Sequence, residues 1–177
     1  AKNFSDEFLC GSYDDENKIK EFINKVDIVT FEFENIPYKT LKKINESKRV
    51  LPKPEINKIV QNRLSEKDFL NKINVNTTKY VSIKNDKDLK SNTDLLPGML
   101  KTCTMGYDGK GQYKINSSQK LENLKLDFKK EFILEKFLNF KQEISVAATR
   151  YKSGKISIYE PTENIHENGI LRNSKIP

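Results

Sequence analysis

Lys101-Thr-Cys-Thr-Met-Gly-Tyr-Asp-Gly-Lys-Gly-Gln-Tyr-Lys114 places three of the chain's seven glycines, Gly106, Gly109 and Gly111, within six residues, with Lys101, Lys110 and Lys114 around them. Glycine lets backbone N–H groups approach an anion, and lysine adds a point charge, so the stretch has the chemistry of a phosphate-cradling loop. Its spacing excludes two familiar loops. A Walker A loop needs Lys-Ser/Thr after its last glycine, and here Gln112 and Tyr113 follow Gly111. The dinucleotide fingerprint runs G-x-G-x-x-G into a helix, whereas this order is G-x-x-G-x-G into the strand-like Gln-Tyr-Lys-Ile. Composition alone leaves a glycine-rich hairpin turn as an equal reading.

Around this loop, the 177 residues suffice for one large domain or two small ones with a buried core. Charged residues make up 32% of the chain, and no apolar run approaches the roughly 18–20 residues of a membrane helix. This points to a soluble, cytoplasmic chain with no membrane partner. Cys10 and Cys103 stand far apart without a CxxC or a histidine cluster, which argues against a disulfide framework or zinc site. The formal charge of +7 suits a phosphorylated small molecule. The lysines are dispersed among acidic residues without a basic block, so nucleic acid is not the expected partner.

The loop is flanked by strand patterns. Pro97–Thr104, which carries Lys101, precedes it and Gln112–Ile115 follows. A helix is expected near Ser118–Leu124, then strands at Phe132–Lys136, Glu143–Thr149 and Lys155–Tyr159, the last two joined by a Tyr151–Gly154 hairpin loop. Together these predict a small antiparallel lid. The tail from Pro161 reads as mostly polar and irregular, and holds the only histidine, His166.

Toward the N-terminus, residues 7–11 read as a short strand. Asp14 and Asp15 can cap a helix running to about Lys25, with Ile19, Phe22 and Ile23 on one face. Val26–Phe31 has the β-branched and aromatic character of a buried strand, and Glu32 and Glu34 follow it. Strand–helix–strand order predicts a parallel sheet, whose ligands sit beyond the carboxyl ends of its strands. Two solvated loop carboxylates remain an equal reading of the glutamates. Pro37 opens a helix to about Asn45, Arg49–Leu51 is a strand, and Pro52, Pro54 and the charged stretch after them suggest a linker or domain change. Leu64–Ile73 reads as a helix preceded by Gln61-Asn62-Arg63, Thr78–Ile83 as a strand and Asp86–Lys90 as a short helix.

Taken together, the segments Gly-Tyr-Asp-Gly-Lys-Gly-Gln (106–112), Glu-Asn-Ile-His-Glu-Asn-Gly-Ile-Leu-Arg (163–172), Thr-Phe-Glu-Phe-Glu (30–34) and Gln-Asn-Arg-Leu-Ser-Glu-Lys (61–67) resemble the ATP-grasp superfamily. The resemblance runs over nearly the whole chain and is closest to the carboxylating ligases of purine biosynthesis. It implies an α/β (α+β) ATP-grasp architecture. Residues 1–57 would be part of a Rossmann-like pre-ATP-grasp domain, and 58–94 a linker with the first ATP-grasp helices and strand. Residues 95–160 would be the lid subdomain and 161–177 the truncated start of the C-terminal catalytic subdomain.

The chemistry that the resemblance implies is ATP-driven carboxylation of 5-aminoimidazole ribonucleotide by bicarbonate, through carboxyphosphate, in a homodimer. For ATP it implies Arg63 and Lys101, and the loop Gly106, Tyr107, Asp108, Gly109, Lys110, Gly111 and Gln112 over the phosphates. The hinge Glu135, Lys136, Phe137 and Leu138 would face adenine, Glu143 the ribose hydroxyls, and His166 the nucleotide side. For the aminoimidazole ribonucleotide it implies Glu32, Tyr107, Asp108 and Lys110. The family commonly has arginine at the last position, and lysine gives up bidentate phosphate recognition.

Two departures accompany the match. The family's glycine-rich N-terminal strand–turn does not precede Ala1, and its magnesium-binding glutamates are expected beyond Pro177. The chain therefore reads as an internal piece in which no metal ligand or catalytic residue is assigned, and whose phosphoryl transfer alone would be severely impaired. Another ATP-grasp ligase, using formate or biotin, and a non-catalytic nucleotide-binding module are the alternatives.

Overall fold

The computed structural model describes residues 2–106, 110–118, 124–167 and 169–176. The chain divides into two compact units, Ala1–Thr77 and Thr78–Pro177.

In the first unit, α1 (Glu16–Asn24) starts where Asp15 accepts hydrogen bonds from the Asn17 and Lys18 N–H groups, both at 3.0 Å. Strands β1 (Ile28–Thr30) and β2 (Arg49–Leu51) pair in parallel through α2 (Tyr38–Asn45). Ile19, Val29, Leu41, Ile44 and Val50 form the core, with Phe22, Ile23, Val26, Phe31 and Ile36 packed against it.

Three sequence expectations change here. Residues 7–11 stay irregular, with Phe8 49% exposed: among the described residues no strand pairs with them. The expected buried strand Val26–Phe31 shortens to three residues, of which Val29 alone is buried. Where a linker or domain change is expected after Pro52 and Pro54, the chain forms a helix, α3 (Pro54–Val60), with Pro54 at its start and Asn57 buried. Proline at the first helical turn lacks only an N–H that would have been unpaired, so it opens a helix as readily as it ends one. Helix α4 (Arg63–Lys72) follows, capped by Asn62 Oδ1 on the Leu64 and Ser65 N–H groups.

The second unit is built on a four-stranded antiparallel sheet in the order β3-β6-β4-β5. Its strands are β3 (Tyr80–Ile83), β4 (Gly98–Thr102), β5 (Gln112–Ile115) and β6 (Phe132–Lys136). One face packs Ile83, Leu100, Ile115, Phe132 and Leu134 against Leu89 of α5 (Asp86–Ser91) and Leu95. Strand alternation therefore turns Met99, Lys101 and Glu135 to the opposite face.

Glu143–Thr149, expected as one strand, is two: β7 (Glu143–Ser145) pairs with β10 (Thr162–Glu167), and β8 (Ala148–Arg150) with β9 (Ile156–Ile158). A continuous apolar alternation carries no mark of where a strand changes partner. The tail is likewise not irregular. Strands β10 and β11 (Ile170–Lys175) form an antiparallel pair, giving a three-stranded sheet β11-β10-β7. Gly169, at φ +78°, lies in their connection. The Asn168-Gly169 dipeptide is itself a hairpin signal that polarity obscured. The helix expected near Ser118–Leu124 lies mostly outside the described residues. Among the described residues, no helix is long and apolar enough to cross a membrane.

Candidate functional site

Strand β4 lies between β5 and β6. Its register sets Met99 opposite Glu135 and Lys114, and Lys101 opposite Ile133 and Gln112. These side chains share the face turned away from the core. From there Lys101 Nζ reaches diagonally to Glu135 Oε2 at 2.9 Å. The pair sits in the wall of a cleft of about 510 Å³, lined also by Gln112, Lys136, Phe137, Leu138, Glu143 and His166.

Two close approaches shape the strand that carries Lys101. A Cβ on Gly98 would lie 2.9 Å from Leu95 O and 3.0 Å from Glu135 O, so only glycine lets β4 lie this close to its neighbours. At the other end, Thr102 N–H donates to Gly111 O at 2.9 Å, with Gly111 at φ +69°. That bond closes the base of the glycine loop.

Past β6 the chain is tied down. Lys136 N–H donates to Lys79 O (2.8 Å), its carbonyl accepts from Thr78 Oγ1 (2.8 Å), and Phe137 N–H donates to Pro97 O (2.9 Å). Lys136 Nζ donates to Leu96 O (2.8 Å) and Asp94 O (3.1 Å), so its ammonium anchors the end of the strand. Lys114 Nζ lies 3.9 Å from the centre of the Phe137 ring, a cation–π contact that holds the residue after β6 against β5. Across the cleft, β7 and β10 pair Glu143 with Asn164, and the β10–β11 register shifts between Ile165 and His166. His166 Nδ1 lies 3.4 Å from Glu143 Oε1.

The cleft thus gathers Lys101, Gln112, residues 135–138, Glu143 and His166. Gly106, Lys110 and Gly111 belong to the β4–β5 connection, and Tyr107, Asp108 and Gly109 lie outside the described residues. Arg63 opens α4 and Glu32 follows β1, both in the first unit. Thr78, Met99, Phe140 and Gly169 also line the cleft, although sequence reasoning did not name them. Period-two spacing from Lys101 marks Met99; nothing in the sequence marks Phe140. Among the described residues, no group of three or more His, Cys, Asp or Glu side chains converges as a metal site.

One cleft is thus lined by a strand lysine paired with a buried glutamate and by a carboxylate–histidine pair, with Gln112 at the strand that follows the glycine-rich segment. The ATP-grasp domain model matches residues 68–177, more than half of the chain, and a ribonucleotide synthetase preATP-grasp domain model matches residues 1–61. The chain belongs to the ATP-grasp family, with the mixed α/β fold of that family.

Among individual proteins, it is 36% identical over 174 residues to the N5-carboxyaminoimidazole ribonucleotide synthase of Brucella melitensis, covering 96% of this chain and 48% of that protein. A crystal structure of an N5-carboxyaminoimidazole ribonucleotide synthetase in its ADP complex superposes with a TM-score of 0.90 at 35% identity, over 97% of this chain and 46% of the other. The Staphylococcus aureus enzyme complexed with ADP gives 0.88 at 34% identity, over 96% and 46%. The chain spans about half the length of the relatives it matches.

Proposed function

We propose that this chain is the nucleotide-holding part of an N5-carboxyaminoimidazole ribonucleotide synthase. In the reaction, a bicarbonate oxygen attacks the γ-phosphorus of ATP and ADP leaves, giving carboxyphosphate. The amine of 5-aminoimidazole ribonucleotide then attacks the carboxyl carbon, and phosphate departs. The observation that carries this reading is the Lys101–Glu135 pair in the wall of the cleft, in a chain similar to synthases of this name and to their ADP complexes.

The residues have distinct tasks in this reading. Lys101 offsets the charge of the phosphate oxygens, the main requirement of phosphoryl transfer. With the Lys136 and Phe137 N–H groups committed within the unit, Leu138 N–H is the next hinge donor for the adenine edge. Glu143 accepts from the ribose hydroxyls, and His166 holds that carboxylate from the side. The stretch from Gly106 to Gln112 covers the phosphates, with Arg63 a further ATP contact. Glu32, Tyr107, Asp108 and Lys110 serve the aminoimidazole ribonucleotide. Magnesium would screen the phosphates in such a reaction, but the described residues offer no carboxylate cluster fit to hold it. Homodimeric assembly and a cytoplasmic location belong to the same reading and rest on the resemblance.

The test is ADP release by the gene product carrying this sequence, with bicarbonate or formate, with and without aminoimidazole ribonucleotide. Stimulation by the ribonucleotide with bicarbonate alone is the expected result. Stimulation with formate would make it a different ATP-grasp ligase. Nucleotide binding without turnover under all conditions would make it a binding module.

A further inference from the structure

The segment from Glu32 to Ile36 leaves β1 without regular structure, yet two of its carbonyls are held from one side of α3. Gln61, the residue ending that helix, donates through Nε2 to Glu34 O at 2.6 Å and also to Ile36 O. Asn57, one turn earlier, donates through Nδ2 to Ile36 O at 3.1 Å. Residues four apart share a helix face, so the two amides form a single strap across the acidic loop.

Asn57 is 1% exposed, and its Oδ1 has no hydrogen-bond partner among the described residues. Burying an unpaired amide oxygen is unfavourable, and an alanine there would avoid the cost. What asparagine supplies is the donor to Ile36. The carbonyls need donors, and both amides provide them without bringing charge next to Glu32 and Glu34.

We infer that Gln61 and Asn57 are positioning residues that hold the Glu32–Ile36 loop in the conformation that binds the aminoimidazole ribonucleotide, without touching it; the substrate half of this inference rests on the function proposed above. The strap sets the affinity for that substrate and leaves the nucleotide cleft of the second unit unchanged.

Hydrogen exchange and kinetics on the same variants test it. Gln61→Ala is expected to speed amide exchange over residues 32–36 at least about tenfold while α1 is unaffected. It is expected to raise KM for aminoimidazole ribonucleotide about tenfold with KM for ATP unchanged. Gln61→Glu, an acceptor set against two carbonyls, is expected to be worse than alanine, and Gln61→Lys, which keeps a donor, to recover part of the loss. Unchanged loop exchange in Gln61→Ala overturns the strap. Faster exchange with both KM values unmoved, or moved together, overturns the substrate role. If the wild-type protein never uses the ribonucleotide, the proposed function fails and the substrate role fails with it; the exchange result still decides the strap.

Discussion

Lys101 Nζ and Glu135 Oε2 meet at 2.9 Å across adjacent strands, with the carboxylate side chain 8% exposed and the lysine 23%. A carboxylate this buried needs a cation nearby, and a lysine in a sheet needs a reason to stay off its apolar face. Each meets the other's requirement. Such pairs add little net stability over apolar isosteres, but removing one partner strands the other charge. The ion pair therefore presents an ammonium at a fixed point of the cleft wall.

Lys101→Ala is expected to have two separable consequences. Nucleotide affinity falls at least about tenfold, or roughly 1.4 kcal/mol, measured by calorimetric titration with ADP. Stability of the chain falls by about 1–3 kcal/mol in urea melts, because the buried Glu135 carboxylate loses its charge-assisted hydrogen bond to Lys101. The double variant Lys101→Met/Glu135→Leu should recover most of that stability and none of the affinity. If the double variant binds ADP like the wild type, Lys101 is a structural residue only.

Gly98→Ala tests how tightly β4 is held. The added Cβ meets two backbone oxygens at 2.9–3.0 Å and the buried Leu134 Cδ1 at 3.0 Å, and the backbone oxygens cannot swing aside as a side-chain end can. Overpacking of this kind costs about 1–3 kcal/mol. Because relief requires β4 to move, ADP affinity should fall along with the urea midpoint. A variant with wild-type stability would mean that the strand has more room than the contacts allow.

The four strands of the second unit's sheet, β3, β4, β5 and β6, were each legible from their β-branched, aromatic and other apolar content, but their pairing into one sheet was not. Lys101 stood out as the charge on such a strand. The Glu135 partnership did not, since two strands separated by 30 residues do not announce their register. Pro54 was misread because a proline that starts a helix and one that ends it look alike. Asn57 and Gln61 were invisible as a strap, because their partners are backbone carbonyls of a loop more than 20 residues earlier. The β10–β11 pair was missed because every residue of β11 is exposed, which leaves no hydrophobic period to read.

In the first unit, Glu16 of α1 pairs with Lys43 of α2. A hydrogen bond from Lys43, reinforced by its charge, holds the Glu16 carboxyl below its ordinary value of 4.5. A depressed folded-state value means the stabilising contribution is present above pH 4.5 and is lost as pH falls through the folded value. Both side chains are exposed, so the effect on global stability is small. The cleaner measurement is a carboxyl-carbon NMR titration, in which Lys43→Ala should return the Glu16 midpoint toward 4.5. A midpoint unmoved by that substitution would exclude the ion pair as its cause.

Glu143 and His166 offer a test of how the far wall of the cleft works. Their contact, 3.4 Å between Glu143 Oε1 and His166 Nδ1, joins residues on adjacent strands, and both side chains are at least a third exposed. A contact so exposed contributes at most about 1 kcal/mol, so His166→Ala alone should barely change the urea midpoint. If His166 aims the carboxylate at the ribose, its effect instead appears in binding and depends on Glu143. Glu143→Gln and His166→Ala should each weaken ADP about three- to tenfold, and the double variant should lose less than the sum, with a coupling of about 0.5–1 kcal/mol. The 2′-deoxy nucleotide, which lacks one of the hydroxyls the carboxylate would accept from, should bind all four proteins more nearly alike. Strict additivity, together with equal discrimination against the deoxy nucleotide in every variant, would separate the histidine from the carboxylate.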